Sequence, residues 1–349
     1  MNNKFGWKNK KARSEKSALL ANMGKDKPVS RSLFHYTTAA GLIGIIKTRT
    51  LWATHASFLN DTAECRLLTS LLAPSIARDF QVIVPLLKSL GAFKPEVMSL
   101  FDGDKLTTES EKVANIAIRV IENVSPFYIT SFCIHGEDAA ESSHGLLSQW
   151  RGYGRGGFAI EFDELEMDKL VAAEAARYWY QGHITREVAY ENHEHAAQLT
   201  RFDGLAATAL KVVFKDKAPK LAALPEVAKL LGEREMHDYI PAFMDALPTL
   251  KSSRFKEENE YRIILMATQP GQTETDDRPY PPVSFREGAN AMIIPYIELF
   301  KGSSNTLPIK KIIVGPNRDQ ANQYDGARLL LRQHGIDVPV VKSDTSLRY

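Results

Sequence analysis

The sequence predicts an α+β protein, a mixed β-sheet core interrupted by helical insertions. Three observations carry this. Strand-like segments are scattered along the chain with helical stretches between them, rather than gathered into one strand block and one helix block. Those segments are short and rich in β-branched and aromatic residues, whereas two long stretches, at about 63–123 and 193–248, keep a helical pattern. Near the C-terminus KKIIVGP, a helix from about Asp319 to His334, and VPVV form a crossover unit whose two strands are expected to lie parallel.

The elements follow in order. SLFHYTT is a first strand, and AAGLIGIIKTRT is a short helix with Leu42, Ile45 and Ile46 on one face. LWATH is a second strand, leading to ASFLNDTAE, where Asn60 and Asp61 have the character of turn or helix-cap residues. After the first helical insertion, FYITSFCIH (127–135) is a strand, followed by a polar loop. A glycine-rich turn after SQWRGY then enters the strand FAIEF. Residues 164–177 are helical and HITREVAY (183–190) is a strand. Beyond the second insertion come the strong strand EYRIILMA and the segments VSF and AMIIPYI. Residues 31–349 thus form a single α+β domain.

Residues 1–30 form a basic arm. Lys and Arg outnumber Asp and Glu nine to two over residues 1–31, so this stretch carries +7 and the remainder −5 within a net charge of +2. A partly disordered, solvated leader accounts for that balance, although such a charge also attracts phosphate-rich partners. With 44% hydrophobic and 25% charged residues the composition is that of a globular protein. No uninterrupted apolar run reaches the roughly 20 residues of a membrane-spanning helix, and no compact signal segment follows the arm. The expectation is a cytoplasmic protein without a membrane partner. Two cysteines, Cys65 and Cys133, are too few for a disulfide framework or a four-cysteine zinc site.

Gly152–Gly157 matches GxGxxG in letters, but the glycines precede a strand instead of linking a strand to a helix, so the dinucleotide fingerprint does not apply. His193 and His195, two apart, do not share a helical face. No metal-ligand spacing, phosphate loop or GxSxG motif is present, and no metal is expected.

Three segments remain. In Phe34-His35-Tyr36-Thr37 a strand places His35 and Thr37 on one face and Tyr36 on the other; a lone strand histidine is usually structural. Trp150 and Tyr153 in SQWRGY are either a ligand wall or core. In EENEYR, a strand sets Glu258, Glu260 and Arg262 on one face and Tyr261, Ile263 and Leu265 on the core face. The charged trio is then either a solvated face or the floor of a polar cleft.

Together these segments resemble a bacterial family known as domain of unknown function 2971. The matching stretches are HYT, LWAT and FLND within 34–64, SQWRGY and GFAIEF within 129–162, FKEENEYR within 255–265, and IIVGP at 312–316. A second resemblance is to the ADP-ribosyltransferase fold, through the early strand histidine, the short helix, the second strand and the late ExE; the middle serine-threonine-serine strand of that fold is missing. It implies a split mixed β-sheet. It also implies an enzyme that cleaves NAD at the nicotinamide–ribose bond and transfers ADP-ribose to a protein, a nucleic acid or water. By this resemblance Glu260 is the catalytic carboxylate, Glu258 assists the acceptor, and His35 binds the NAD ribose. Tyr36, Thr37, Trp150, Tyr153 and Arg262 complete the NAD pocket. The implied setting is a bacterial toxin or phage-defence effector, with an antitoxin or regulatory partner. The alternatives are a non-enzymatic nucleic-acid- or ligand-binding module and a metal-independent nuclease using His35 and a glutamate.

Overall fold

A computed structural model describes residues 31–59, 63–91, 101, 103–136, 144–190, 192–267, 277–288, 291–303 and 306–345. Asn60, Asp61 and the N-terminal arm lie outside these residues. Among the described residues ten strands form one mixed sheet: β1 (Ser32–Thr37), β2 (Leu51–His55), β3 (Phe127–Ile134), β4 (Phe158–Asp163), β5 (Gly182–Glu187), β6 (Glu260–Met266), β7 (Val283–Glu287), β8 (Ile293–Leu299), β9 (Ile309–Val314) and β10 (Val340–Lys342). Every strand pairing is antiparallel except β9 with β10, which is parallel across the crossover helix as expected.

The sheet is split. On one edge β3 pairs with β6 along its whole length, from Phe127–Met266 to Cys133–Glu260. Its other edge is shared. β1 meets it only at Cys133 and Ile134, and β2 only at Tyr128 and Ile129. Between them Thr130, Ser131 and Phe132 have no strand partner on that side. β1 diverges after Phe34 and carries β4, β9 and β10 as one wing. β2 converges at Thr54 and carries β8 and β7 as the other. Side chains bridge the gap left behind: His35 Nδ1 donates to the Ser131 carbonyl at 3.1 Å, and Thr130 Oγ1 donates to the Trp52 carbonyl at 3.0 Å. Backbone carbonyls stripped of a ladder partner need such donors.

Alternation along the strands gives each face its own core. One face carries Leu33, Phe132, Phe158, Ile160, Tyr261 and Ile263, covered by α1 (Ala39–Thr48), α4 (Glu164–Arg177) and α9 (Gln320–Gln333). On the opposite face two clusters sit apart. Phe127, Ile129, Ile264 and Met266 pack under α2 (Ala63–Ser89), α3 (Asp104–Val124), α6 (Leu205–Lys217), α7 (Pro225–Leu231) and α8 (Ile240–Ala246); α5 (Asn192–Leu199) contributes only Leu199 at the margin. The two helical insertions, distant in sequence, therefore form a single layer. The second cluster holds Phe34, Tyr36, Cys133, Trp150, Ala159 and Ile313. The strip of sheet between the two clusters is polar, and the candidate site lies there.

Among the described residues one segment, Leu67–Ser89 in α2, is long and apolar enough to cross a membrane by length and composition. Arg78 and Asp79 interrupt it, so it is not a continuous apolar run. Its stripe Leu68, Leu72, Ile76, Phe80, Ile83 and Leu87 follows helical spacing and is consumed by the protein's own core.

Candidate functional site

The polar strip opens into a cavity of about 410 Å³, within the range of ligand pockets. Its floor is Ser131, Glu260 and Arg262 on β3 and β6, with His35 and Phe132 reaching it through the split. Tyr36 closes one end. Trp52, Thr54 and Arg286 form the wall of the β2–β8–β7 wing, and Tyr153, Lys251, Phe255 and Glu258 cover the top.

Glu260 and Arg262 face the cavity together because they are two apart in a strand, with Tyr261, Ile263 and Leu265 in the core behind them. Glu258 arrives by another route. Ser253–Glu258 is a 3-10 helix, and Asn259 adopts a left-handed conformation (φ 39°) before β6 starts. Asn259 is pinned to the end of β3: its side-chain amide donates to the Ile134 carbonyl at 2.7 Å, and its own carbonyl accepts from Ile134 N–H at 2.9 Å. Glu258 is thus a helix residue folded back over the strand. Its orientation beside Glu260 comes from this turn, not from strand periodicity. Lys251 is placed by a parallel bridge between Ala189 and Leu250, with Lys251 N–H donating to the Ala189 carbonyl.

These residues form a buried ion network. Arg262 grips Glu260 with two parallel bonds, Nε to Oε1 and Nη2 to Oε2, each 2.9 Å, while its Nη1 donates to the Pro248 carbonyl. Lys251 Nζ donates to Glu260 at 3.1 Å and to Glu258 at 2.7 Å. Burial works against the Glu260 charge, but Arg262, Lys251 and the Ser131 hydroxyl overcome it and hold this carboxyl down at about 2. Burial likewise opposes the Lys251 charge, yet Glu260 and Glu258 raise its pKa above the ordinary lysine value. Glu260, Lys251 and Arg262 are almost wholly buried; the Glu258 side chain is 19% exposed and is the carboxylate of this pair with more access to solvent. Tyr153 donates to the other Glu258 oxygen at 3.2 Å. Burial and the Glu258 charge push the Tyr153 phenol up to about 12, so it stays a donor.

His35 is fully constrained. A carbonyl can only accept, so the bond to Ser131 places the ring proton on Nδ1. Burial lowers the His35 pKa, against the pull of that bond, and keeps the ring neutral. Nε2 is then an unprotonated acceptor, with no partner among the described residues, on a ring that lines the cavity.

Two expected pocket residues are placed elsewhere. Thr37 lies on the opposite face of β1 from Tyr36, against α1, where a Cβ on Gly41 would meet its Oγ1 at 1.9 Å. Trp150 is entirely buried. Its indole donates to the His144 carbonyl and its ring packs edge-on against Tyr36. Gly154 and Gly315 have no room for a side chain beside it, since a Cβ would lie 2.6 and 2.8 Å from its ring atoms. Trp150 is the core plug that joins the HYT, SQWRGYG and IIVGP segments. Tyr36 shares that role: its hydroxyl bonds His135 Nε2 and accepts from Leu146 N–H at 2.8 Å. The face of β1 turned toward Glu260 is Tyr36's, with His35 entering through the split. Sequence reasoning missed Trp52, Lys251, Arg286 and Ser131, which long-range pairing alone brings to the cavity.

The fold and site define an α+β protein with a split mixed sheet and a polar, ion-paired cavity at the split. A family model described as Protein of unknown function (DUF2971) matches residues 149–263. That stretch begins at Gln149 in the cavity and ends inside β6. It includes Tyr153, Lys251, Glu258, Glu260 and Arg262, and leaves His35, Trp52 and Arg286 outside. No curated protein and no solved structure is significantly similar to the chain.

Proposed function

We propose that the cavity binds NAD and that the protein cleaves it at the nicotinamide–ribose bond, as an ADP-ribosyltransferase-like enzyme. One observation carries this reading: His35 and the Glu258/Glu260 pair, more than 220 residues apart in sequence, line a single cavity at the split of a mixed sheet. In the reaction the C1′–N bond breaks, nicotinamide leaves with the bonding electrons, and positive charge builds on the ribose ring. An acceptor nucleophile attacks C1′ and gives up its proton. Neutral His35, with Nε2 free to accept, suits a ribose hydroxyl. A carboxylate beside the ring stabilises the oxocarbenium-like state.

The geometry favours Glu258 for that task over Glu260. Both oxygens of Glu260 are held by Arg262, and one also by Lys251, so its charge is largely spent on holding the floor. Glu258 is bound at one oxygen by Tyr153 and at the other by Lys251, and is the more open of the two.

The test is nicotinamide release from NAD, followed chromatographically with protein, nucleic acid or water as acceptor. The wild type is expected to release nicotinamide, and Glu258→Gln to lose about 10²-fold or more, the scale of a general acid–base or electrostatic contribution. Growth arrest on expression, relieved by the same substitution, would test the toxin or defence role. A wild type that neither binds NAD nor releases nicotinamide would end the reading. The saturated state of Glu260 favours one second reading, a ligand-binding module without turnover; NAD or ADP-ribose binding with no nicotinamide release is its signature.

A further inference from the structure

Among the described residues three cations line the cavity, and two are matched. Lys251 and Arg262 are neutralised by Glu258 and Glu260. Arg286 is not. It stands on β7, opposite Ile294 of β8, on the sheet face that also carries Trp52 and Thr54. Its Nε is buried and makes no hydrogen bond. No carboxylate among the described residues pairs with it. Its polar contact is a long one, Nη2 to Thr54 Oγ1 at 3.4 Å, and its guanidinium carbon lies 5.7 Å from the centre of the Trp52 ring. A guanidinium keeps its charge at any accessible pH. A buried donor without an acceptor is a standing cost that an incoming acceptor removes.

We propose that Arg286 is the oxyanion-binding residue of this cavity and takes a phosphate group of the ligand. The choice of phosphate rests on the NAD reading above, since a dinucleotide brings a diphosphate. The planar fork of arginine suits a phosphoryl group, with two N–H bonds to two oxygens. Trp52 lies beside the guanidinium, and Arg286 lines the cavity. The split sheet explains the division of labour. His35 belongs to the β1 wing and Arg286 to the β2–β8–β7 wing, so a ligand held by both, through a sugar hydroxyl and a phosphate, ties the two wings together across the gap.

The experiment measures binding by calorimetry with three probes: ADP-ribose, inorganic pyrophosphate and nicotinamide riboside, which has the sugar but no phosphate. The proteins are the wild type, Arg286→Gln and Arg286→Lys. Arg286→Gln is expected to weaken ADP-ribose and pyrophosphate about 10- to 100-fold, the worth of a charge-assisted hydrogen-bonded contact. Nicotinamide riboside binding should not change. Arg286→Lys should recover part of the loss, because it restores charge without the fork. Added salt should weaken ADP-ribose binding in the wild type and do so less in Arg286→Gln. Equal ADP-ribose affinity in wild type and Arg286→Gln overturns the assignment while the NAD reading stands. Pyrophosphate binding that depends on Arg286, without binding of ADP-ribose or nicotinamide riboside, supports the assignment and removes the NAD reading. A wild type that binds no phosphate compound overturns the assignment.

Discussion

Replacing Arg262 with methionine tests the ion network at the cavity floor. The side chain is buried, and three of its bonds are lost at once: two to Glu260 and one to the Pro248 carbonyl. Lys251 remains at 3.1 Å, but its single positive charge must then serve both Glu258 and Glu260. Removing one partner of a buried pair costs about 3–5 kcal/mol, because the survivor is left with a poorly compensated charge. For a unit spanning Ser32–Tyr349, an unfolding entropy of about 2.1 cal/mol/K per residue makes this a fall in Tm of about 4–8 °C.

The pH dependence makes the test specific. Glu260 is depressed to about 2 in the folded protein, against an ordinary value of 4.5. A depressed carboxylate contributes stability above its unfolded pKa and loses it as pH falls through its folded pKa. The wild type therefore loses this contribution between about pH 4.5 and pH 2. In Arg262→Met the Glu260 carboxyl rises, since its first favourable partner is gone, and protonation relieves the unpaired charge. The gap in Tm between wild type and variant is thus widest at pH 7 and narrows toward pH 3.5. Thermal unfolding followed by circular dichroism at a series of pH values reads it. A fall under about 1 °C at pH 7, or a gap that does not narrow in acid, refutes the reasoning.

Two further outcomes are expected. Gly315→Ala sets a Cβ 2.8 Å from the Trp150 ring and 2.9 Å from the Gly157 carbonyl oxygen, neither of which can move aside; overpacking of about 1–3 kcal/mol should lower Tm by about 2–4 °C in a thermal scan. In a phenolate absorbance titration the difference between wild type and Tyr153→Phe should show a group ionising near 12, and Glu258→Gln should move it back toward 10 by removing a neighbouring negative charge.

Parts of the site were legible because strand periodicity is local. Glu260 and Arg262 share a face, and Tyr261, Ile263 and Leu265 turn away, because residues two apart in a strand must do so. The same rule set His35 and Thr37 apart from Tyr36. It could not say which face meets the glutamates, and that face proved to be Tyr36's. Glu258 joined the trio for a reason periodicity does not contain, the left-handed turn at Asn259. Trp150 had equal reason in sequence to be wall or plug. Gly154 and Gly315, far apart in the chain, decide for plug by leaving space only for its ring.

Local pattern along the chain is enough for the elements: an α+β chain, the parallel unit β9–α9–β10, two helical insertions, and the alternation of residues within the strands. These follow from short-range spacing, dihedral preference and apolar pattern. That β1 and β2 share one edge of β3, so that the sheet splits and a cavity opens beneath the gap, follows from long-range packing. It alone brought Lys251 to Glu258 and Glu260, and set Arg286 on the far wall with no carboxylate partner among the described residues. Strand order and register are long-range choices, made by how the buried faces of distant segments fit together. A pattern read along the chain does not carry them.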